Sequence, residues 1–347
     1  MPRTTRTRQG PIRVGLIGAG FIGQMRAQAL GNMPEMFRLT AVGDAREDLA
    51  RALAGTRAKS FSDARALADD PDVEAVVLST PPSSHAELGV PCLRAGKHLL
   101  VEKPLAATVR ECEELVEGAE GSGVCLATGF TLRQTPAAKL ARRLLAEGAI
   151  GELDYVRAFH GHKGGKDFGP AWITDRTMTG GGTLMDNGIH MIDLARWFLG
   201  DVESFARMSS NHSWKKPGCE DNGFVLMRSR KGHIASVQSS WTEWRGYGWH
   251  MEIFGTAGAI RFGFPPLWLT LWRGTAGEKM TARHFPFLVY QVKERLKGWR
   301  WSLVEQLVGD LRDWGEAIRA GRPAPASGRD GLEAVRIALC TEFAGTT

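Results

Sequence analysis

The 347-residue chain has no uninterrupted run of about 18 apolar residues, the length that a membrane-spanning helix requires. No apolar stretch with a small-residue cleavage site follows the opening MPRTTRTRQG, which leads directly into a strand-like IRVGLIGAG, so neither membrane insertion nor export is expected. Cysteine is scarce: Cys92, Cys112, Cys125, Cys219 and Cys340 are an odd five, scattered and without a C-x-x-C pair. That pattern indicates neither a disulfide framework nor a cysteine zinc site and fits a reducing cytoplasm. Charge of one sign is also weak. The formal charge is +6, and the arginines of the opening segment supply much of it, which reads as a solvated tail and argues against a nucleic-acid partner. Tyrosine is rare, three residues against eleven tryptophans, and Trp241, Trp244, Trp249, Trp268, Trp272, Trp299 and Trp301 cluster late. Packing in a core and a subunit interface is the first reading of that cluster, and a sugar-stacking surface the second. There is no internal repeat and no extended low-complexity segment.

The length suits about two domains. From Ile12 to about Thr128 short apolar runs (IRVGLI, FRLTAVG, VEAVVLS, HLLV, VCLATG) alternate with helical stretches, the signature of a doubly wound parallel sheet. After a helical stretch near Ala137–Glu147 the runs LDYVRAFHGH, VESFARMSSNH, GFVLMRSR, GHIASVQSSW and HMEIFGT follow with few helices between them. They predict a second, mostly antiparallel sheet with a Gly180–Leu199 helix packed on it. Two closing helices are expected at about Val304–Ala320 and Gly331–Phe343. The α/β chain is thus divided into a basic tail (1–11), a first domain (12–130) and a second domain (131–347).

Three motifs carry chemistry in the first domain. Gly18, Gly20 and Gly23 stand in G-x-G-x-x-G spacing between a strand and a helix: a tight turn, a close approach to pyrophosphate and close helix–strand contact. Asp44 ends the next strand about twenty residues on, where a carboxylate can accept from an adenosine ribose. The STPPSSH turn, with Thr80, Pro81, Pro82 and His85, lies where the fourth strand ends, and EKP, with Glu102 and Lys103, ends the fifth. Pro104 biases Lys103 away from helical angles, so the lysine is held extended at a strand tip. The cofactor-binding set is therefore Gly18, Gly20, Phe21, Ile22, Gly23, Asp44, Ala45, Arg46, Thr80, Pro81, Pro82, His85, Glu102 and Lys103. NAD is expected over NADP, because Asp44 would repel a 2′-phosphate, although Arg46 could accommodate one.

In the second domain GGGTLMDNGIHMIDL places Asp186 and His190 one helical turn apart, with Asp193 three residues further on nearly the same side. Such a pair can be a satisfied polar contact, two metal ligands or half of an acid–base site. Two ligands are too few for a metal, and His160 and His162 alternate along a strand, so both do not readily face one ion; no metal is expected.

Taken together, GxGxxG, TPP…H, EKP and GGG-x-L-x-D-x-G-x-H-x-x-D resemble the Gfo/Idh/MocA family of nicotinamide-dependent oxidoreductases, over nearly the whole chain. The resemblance implies a Rossmann domain, a second α/β domain with a large open sheet, a site in the cleft between them, and dimers or tetramers. It places Lys103, Asp186 and His190 on the catalytic positions. His190 is then the general base, Lys103 the donor to the reacting oxygen, and Asp186 the residue that orients the substrate hydroxyl or the lysine. The expected reaction is hydride transfer between the nicotinamide and a secondary alcohol of a sugar, cyclitol or related polyol, with Trp172 as a candidate substrate contact. A regulator that binds NAD without turnover, and a glycoside hydrolase with tightly bound NAD, are the alternatives. Residues 264–302 resemble the family least.

Overall fold

A computed structural model describes residues 10–275, 277 and 279–340. The chain sorts into two units, one running to Thr131 and taking back Arg300–Glu333, the other Leu132–Trp299 with the residues from Ala334 onward.

The first unit alternates strand and helix: β1 (Ile12–Ile17), α1 (Phe21–Gly31), β2 (Phe37–Gly43), α2 (Glu47–Ala54), β3 (Lys59–Phe61), α3 (Ala66–Asp69), β4 (Ala75–Leu78), α4 (His85–Arg94), β5 (His98–Val101), α5 (Val109–Ser122) and β6 (Leu126–Thr128). All pairings in its sheet are parallel, in the order β3-β2-β1-β4-β5-β6. That order reverses at β1 and β4, so the strand tips there open a crevice for a ligand. Continuous apolar runs suit strands covered on both faces, and β4 (AVVL) is buried throughout. Thr108 caps α5 by accepting from the Glu111 amide while its hydroxyl meets the Glu111 carboxylate, and Gly123 ends the helix in the left-handed conformation.

The second unit follows: α6 (Pro136–Ala146), β7 (Leu153–Gly161), α7 (Arg176–Thr179), α8 (Ile189–Leu199), β8 (Val202–Ser210), β9 (Asn222–Ser229), β10 (Ile234–Ser240), β11 (Gly248–Gly255), β12 (Gly258–Phe264), β13 (Trp268–Arg273), β14 (Thr281–Phe285) and α9 (Leu288–Lys297). Its sheet runs β14-β13-β12-β11-β7-β10-β9-β8 and is antiparallel except where β10 pairs with β7. β9 alternates buried and exposed residues along its length, as a strand with one covered face must. The single helix expected over Gly180–Leu199 is instead a loop, a π-helical turn at Leu184–Gly188, and then α8.

The chain closes with α10 (Trp299–Ala320) and α11 (Gly328–Leu339). The sequence places all of 131–347 in one domain, but α10 lays Val304, Leu307, Leu311, Trp314 and Ala317 against Val14, Leu16, Leu30 and Phe37 of the first unit. Its apolar stripe announces a buried face without saying which sheet receives it. Beyond it, Ala326 and Ser327 accept hydrogen bonds from Thr128 and cover the β6 edge. The expected basic tail, apart from residues 10 and 11, and the last residues of the expected closing helix lie outside the described residues.

Candidate active site

In the first unit the glycines do three different things. Gly18 has φ +95°, and a Cβ there would stand 2.6 Å from the Ser79 carbonyl oxygen, so the turn needs glycine on both counts. At Gly23 a Cβ would reach 1.8 Å from the Gly18 carbonyl oxygen, which is the close helix–strand contact. A Cβ at Gly20, the residue opening α1, would meet nothing within 4 Å, so room remains above the helix N-terminus. An open cradle at a helix N-terminus fits a pyrophosphate.

Asp44, Ala45 and Arg46 follow β2. One Asp44 oxygen accepts from the Ala19 amide at 2.7 Å and the other from the Arg46 amide at 2.9 Å, so the carboxylate braces the glycine-rich turn. Each carboxylate oxygen has a second lone pair for a ribose hydroxyl. The Arg46 side chain is 67 % exposed, with Nε 3.8 Å from Asp44. Phe21, at the start of α1, carries the Arg300 guanidinium over its ring.

At the β4 tip, Ser84 Oγ bonds to Thr80 Oγ1 and to the Pro81 carbonyl, both at 2.8 Å, which shapes the turn through Pro82. His85 departs from expectation. Its ring is wholly buried, with Nε2 2.8 Å from the Thr80 carbonyl and Nδ1 3.1 and 3.2 Å from those of Pro104 and Leu105. With no surface to offer a ligand, it staples the β4 turn to the β5 turn. Burial, the largest influence, lowers its pKa, and the carbonyls work the other way. Glu102 is likewise occupied within the protein, its carboxylate held by Arg26 of α1. Lys103 stands at the β5 tip, before a cis Pro104.

In the second unit the triglycine is explained by packing. Gly180 ends α7 in the left-handed conformation, and a Cβ on Gly182 would lie 2.3 Å from the Glu220 backbone. Glu220 itself, which the sequence reading missed, accepts from the amides of Gly182 and Leu184, both at 3.0 Å. A buried carboxylate thus caps the π-turn, where unpaired amides and the helix dipole favour an anion. Arg207 stands 3.5 Å from it.

That turn carries Asp186, and His190 follows at the start of α8. The Asp186 carboxylate accepts from the Trp241 indole at 3.2 Å and lies 3.7 Å from His162 Nε2. Because His162 Nδ1 accepts from the Gly164 amide, its proton is assigned to Nε2, facing Asp186. The His160 ring is 6.3 Å from that of His190 and 5.3 Å, edge-on, from Tyr247. The alternation argument for the two histidines fails here. Residues two apart along a strand share a face, so His160 in β7 and His162, whose amide just past its end still bonds to the Ser240 carbonyl of β10, fall on the same side. Burial first, and the Asp186 charge second, push the Tyr247 pKa up. Among the described residues no group of three His, Cys, Asp or Glu side chains is placed to hold a metal ion.

Asp193 does not join this group. It is 1 % exposed and grips Arg133 through two contacts, 2.8 Å to Nε and 2.5 Å to Nη2. Trp172 is 37 % exposed on a short 3₁₀ turn.

A parallel sheet of this order, with a glycine-rich turn at the switch point, and a second unit that carries an acid and an imidazole on a π-turn and the helix after it define a dinucleotide-dependent enzyme of two units. The comparisons narrow this. A model described as "Oxidoreductase family, NAD-binding Rossmann fold" matches residues 12–130, and one described as "GFO/IDH/MocA C-terminal domain" matches 138–261. The oxidoreductase YrbE of Bacillus subtilis is 31 % identical over 339 residues, 95 % of this chain and 93 % of that protein. Inositol 2-dehydrogenase 2 of Saccharopolyspora erythraea is 29 % identical over 293 residues, 83 % of this chain and 84 % of that one. A structure of levoglucosan dehydrogenase in complex with NADH and L-sorbose matches with a TM-score of 0.83 at 26 % identity, covering 95 % of this chain and 96 % of that chain. The chain belongs to the Gfo/Idh/MocA family of NAD-binding oxidoreductases.

Proposed function

We propose that the protein reversibly oxidises a secondary alcohol of a sugar, cyclitol or related polyol, with NAD preferred over NADP. The bound nicotinamide supplies the hydride chemistry, which leaves the protein to position the carbinol and to move its proton. His190 takes the hydroxyl proton, because an imidazole titrates near neutrality. Lys103 donates to the reacting oxygen and stabilises the charge that develops there. Asp186, held by Trp241 and His162, orients the substrate hydroxyl. Gly18, Gly20, Gly23 and Asp44 hold the dinucleotide, and Trp172 lines the substrate site.

The observation that carries this reading is the braced Asp186, four residues before His190, on a turn capped by a buried glutamate. A carboxylate held against Trp241 and His162 with a 28 % exposed surface is oriented and still reachable. The relatives named for inositol and levoglucosan dehydrogenation support the substrate class. The test is NADH formation across a panel of inositols, anhydrosugars and hexoses. Turnover on one ring class supports the reading. Binding without turnover favours a regulator, and glycoside cleavage with no net NADH favours the hydrolase.

The outer face of the second sheet exposes Met208 (78 %), Phe224 (50 %), Leu226 (56 %) and Ile234 (46 %), a patch that fits a homodimer or homotetramer. A monomeric mass by light scattering at micromolar concentration would remove that part. No helix among the described residues is long and apolar enough to cross a membrane, and the five cysteines are free, which supports a cytoplasmic setting.

A further inference from the structure

Arg26 lies on α1, the helix that begins at the glycine-rich turn, and its side chain is wholly buried. Its Nε and Nη2 stand 2.7 and 2.6 Å from one oxygen of Glu102, and its Nη1 stands 2.7 Å from Asp310 Oδ2 on α10. Glu102 and Asp310 are themselves 13 % and 5 % exposed. One guanidinium therefore joins the cofactor-turn helix, the tip of β5 and a helix about 280 residues later in the chain. Room for it is made at the end of β6, where a Cβ on Gly129 would lie 2.7 Å from Arg26 Nη2 and 3.0 Å from Glu102 Oε2.

Stability alone is a poor reason for such a triad. Burying charges costs desolvation that their attraction barely offsets, and apolar side chains of the same volume commonly do as well. The two carboxylates outweigh burial and keep the guanidinium charged, whereas burial still pushes Asp310 up to about 6. What charges supply and apolar groups do not is a fixed direction. Arg26 presents a rigid planar fork, and Glu102, which it holds, is the residue immediately before Lys103.

The geometry points to Arg26 and Asp310 as positioning residues for the reaction: through Glu102 they set where β5 delivers Lys103 relative to the helix that holds the dinucleotide. Neither side chain touches substrate or cofactor in this role; each acts through the Glu102 carboxylate. The inference rests on Lys103 being the donor to the reacting oxygen.

The test is made in the full chain with Asp310→Asn, which keeps an acceptor, and Asp310→Leu, which removes it, and with Arg26→Lys should the leucine variant not fold. NAD affinity should stay within a few-fold in each. Turnover per folded enzyme should fall roughly 10- to 100-fold, the order expected for a misplacement approaching 1 Å. The deuterium isotope effect on kcat, with substrate deuterated at the carbinol carbon, should rise as chemistry becomes limiting. Without cofactor, hydrogen exchange in the peptide 100–106 should quicken. Normal turnover with an unchanged isotope effect would overturn the proposal, as would a fall in turnover that only tracks the loss of folded protein. Lys103→Ala separates the two readings, since normal turnover there removes the lysine's role while exchange at 100–106 still reports the triad.

Discussion

Two aspartates seven residues apart, Asp186 and Asp193, should respond to the same substitution in opposite ways. Asp193→Asn leaves the Arg133 guanidinium buried without its counter-charge; the two side chains are 5 % and 1 % exposed, so solvent does little to screen the loss. Removing one partner of a buried pair costs about 3–5 kcal/mol. At roughly 2–4 °C of melting temperature per kcal/mol for a unit of this size, the transition should fall by about 6–20 °C. The double variant Arg133→Met with Asp193→Leu should recover most of that loss, because it removes both charges together. Asp186→Asn, at a partly exposed carboxylate, should change the melting temperature little and lower turnover by orders of magnitude. The measurements are calorimetric unfolding and kcat per folded enzyme. An Asp193→Asn variant that melts within about 2 °C of the parent, or one that melts normally and has lost turnover, would refute the division of labour between the two carboxylates.

Lys103→Ala should leave NAD affinity within a few-fold and lower turnover by about 10²–10³, the loss typical of one preorganised donor to a developing oxyanion; near-normal turnover would exclude it. His190→Asn should abolish the acidic limb of the pH–rate profile for alcohol oxidation, since protonated imidazole cannot take the substrate proton, and a limb that persists identifies another base. Asp44→Ser should shift kcat/KM toward NADP, and unchanged selectivity would mean that Arg46 governs the ribose end. Asp310 has its pKa raised from 3.8 to about 6 in the folded protein. The folded state therefore holds the proton more tightly, and the stability that comes with it is present below pH 3.8 and is lost as pH rises through about 6. Relative to Asp310→Asn, the parent should become less resistant to urea across that window, and parallel pH profiles for the two proteins would contradict it.

The elements most legible in the sequence are those whose evidence is local. A strand, three glycines at fixed spacing and a carboxylate at the next strand's end specify the dinucleotide turn within about thirty residues, because each residue answers a backbone demand made by its neighbours. The alternating runs gave the parallel sheet for the same reason, but not its order, which pairs strands distant in sequence. The i,i+4 spacing singled out Asp186 and His190 without any knowledge of what surrounds them.

What stayed illegible depends on partners far along the chain. Asp193 looked equivalent to Asp186 by helical spacing, yet it is held by Arg133, sixty residues earlier. Nothing near the triglycine in the sequence announces that the backbone it admits is that of Glu220. His85 sits in a turn beside a cofactor motif, yet its ring reaches the carbonyls of Pro104 and Leu105, about twenty residues on. Spacing within a helix or a strand fixes which side a residue faces and leaves open what it meets there. A polar side chain on a buried face is therefore an unassigned donor or acceptor until the opposing element is known. Asp310 is the extreme case. In LVGDLRDWGEAIRA it interrupts an apolar stripe as a lone acid, and nothing near it in the sequence suggests that it answers an arginine on the first helix of the chain.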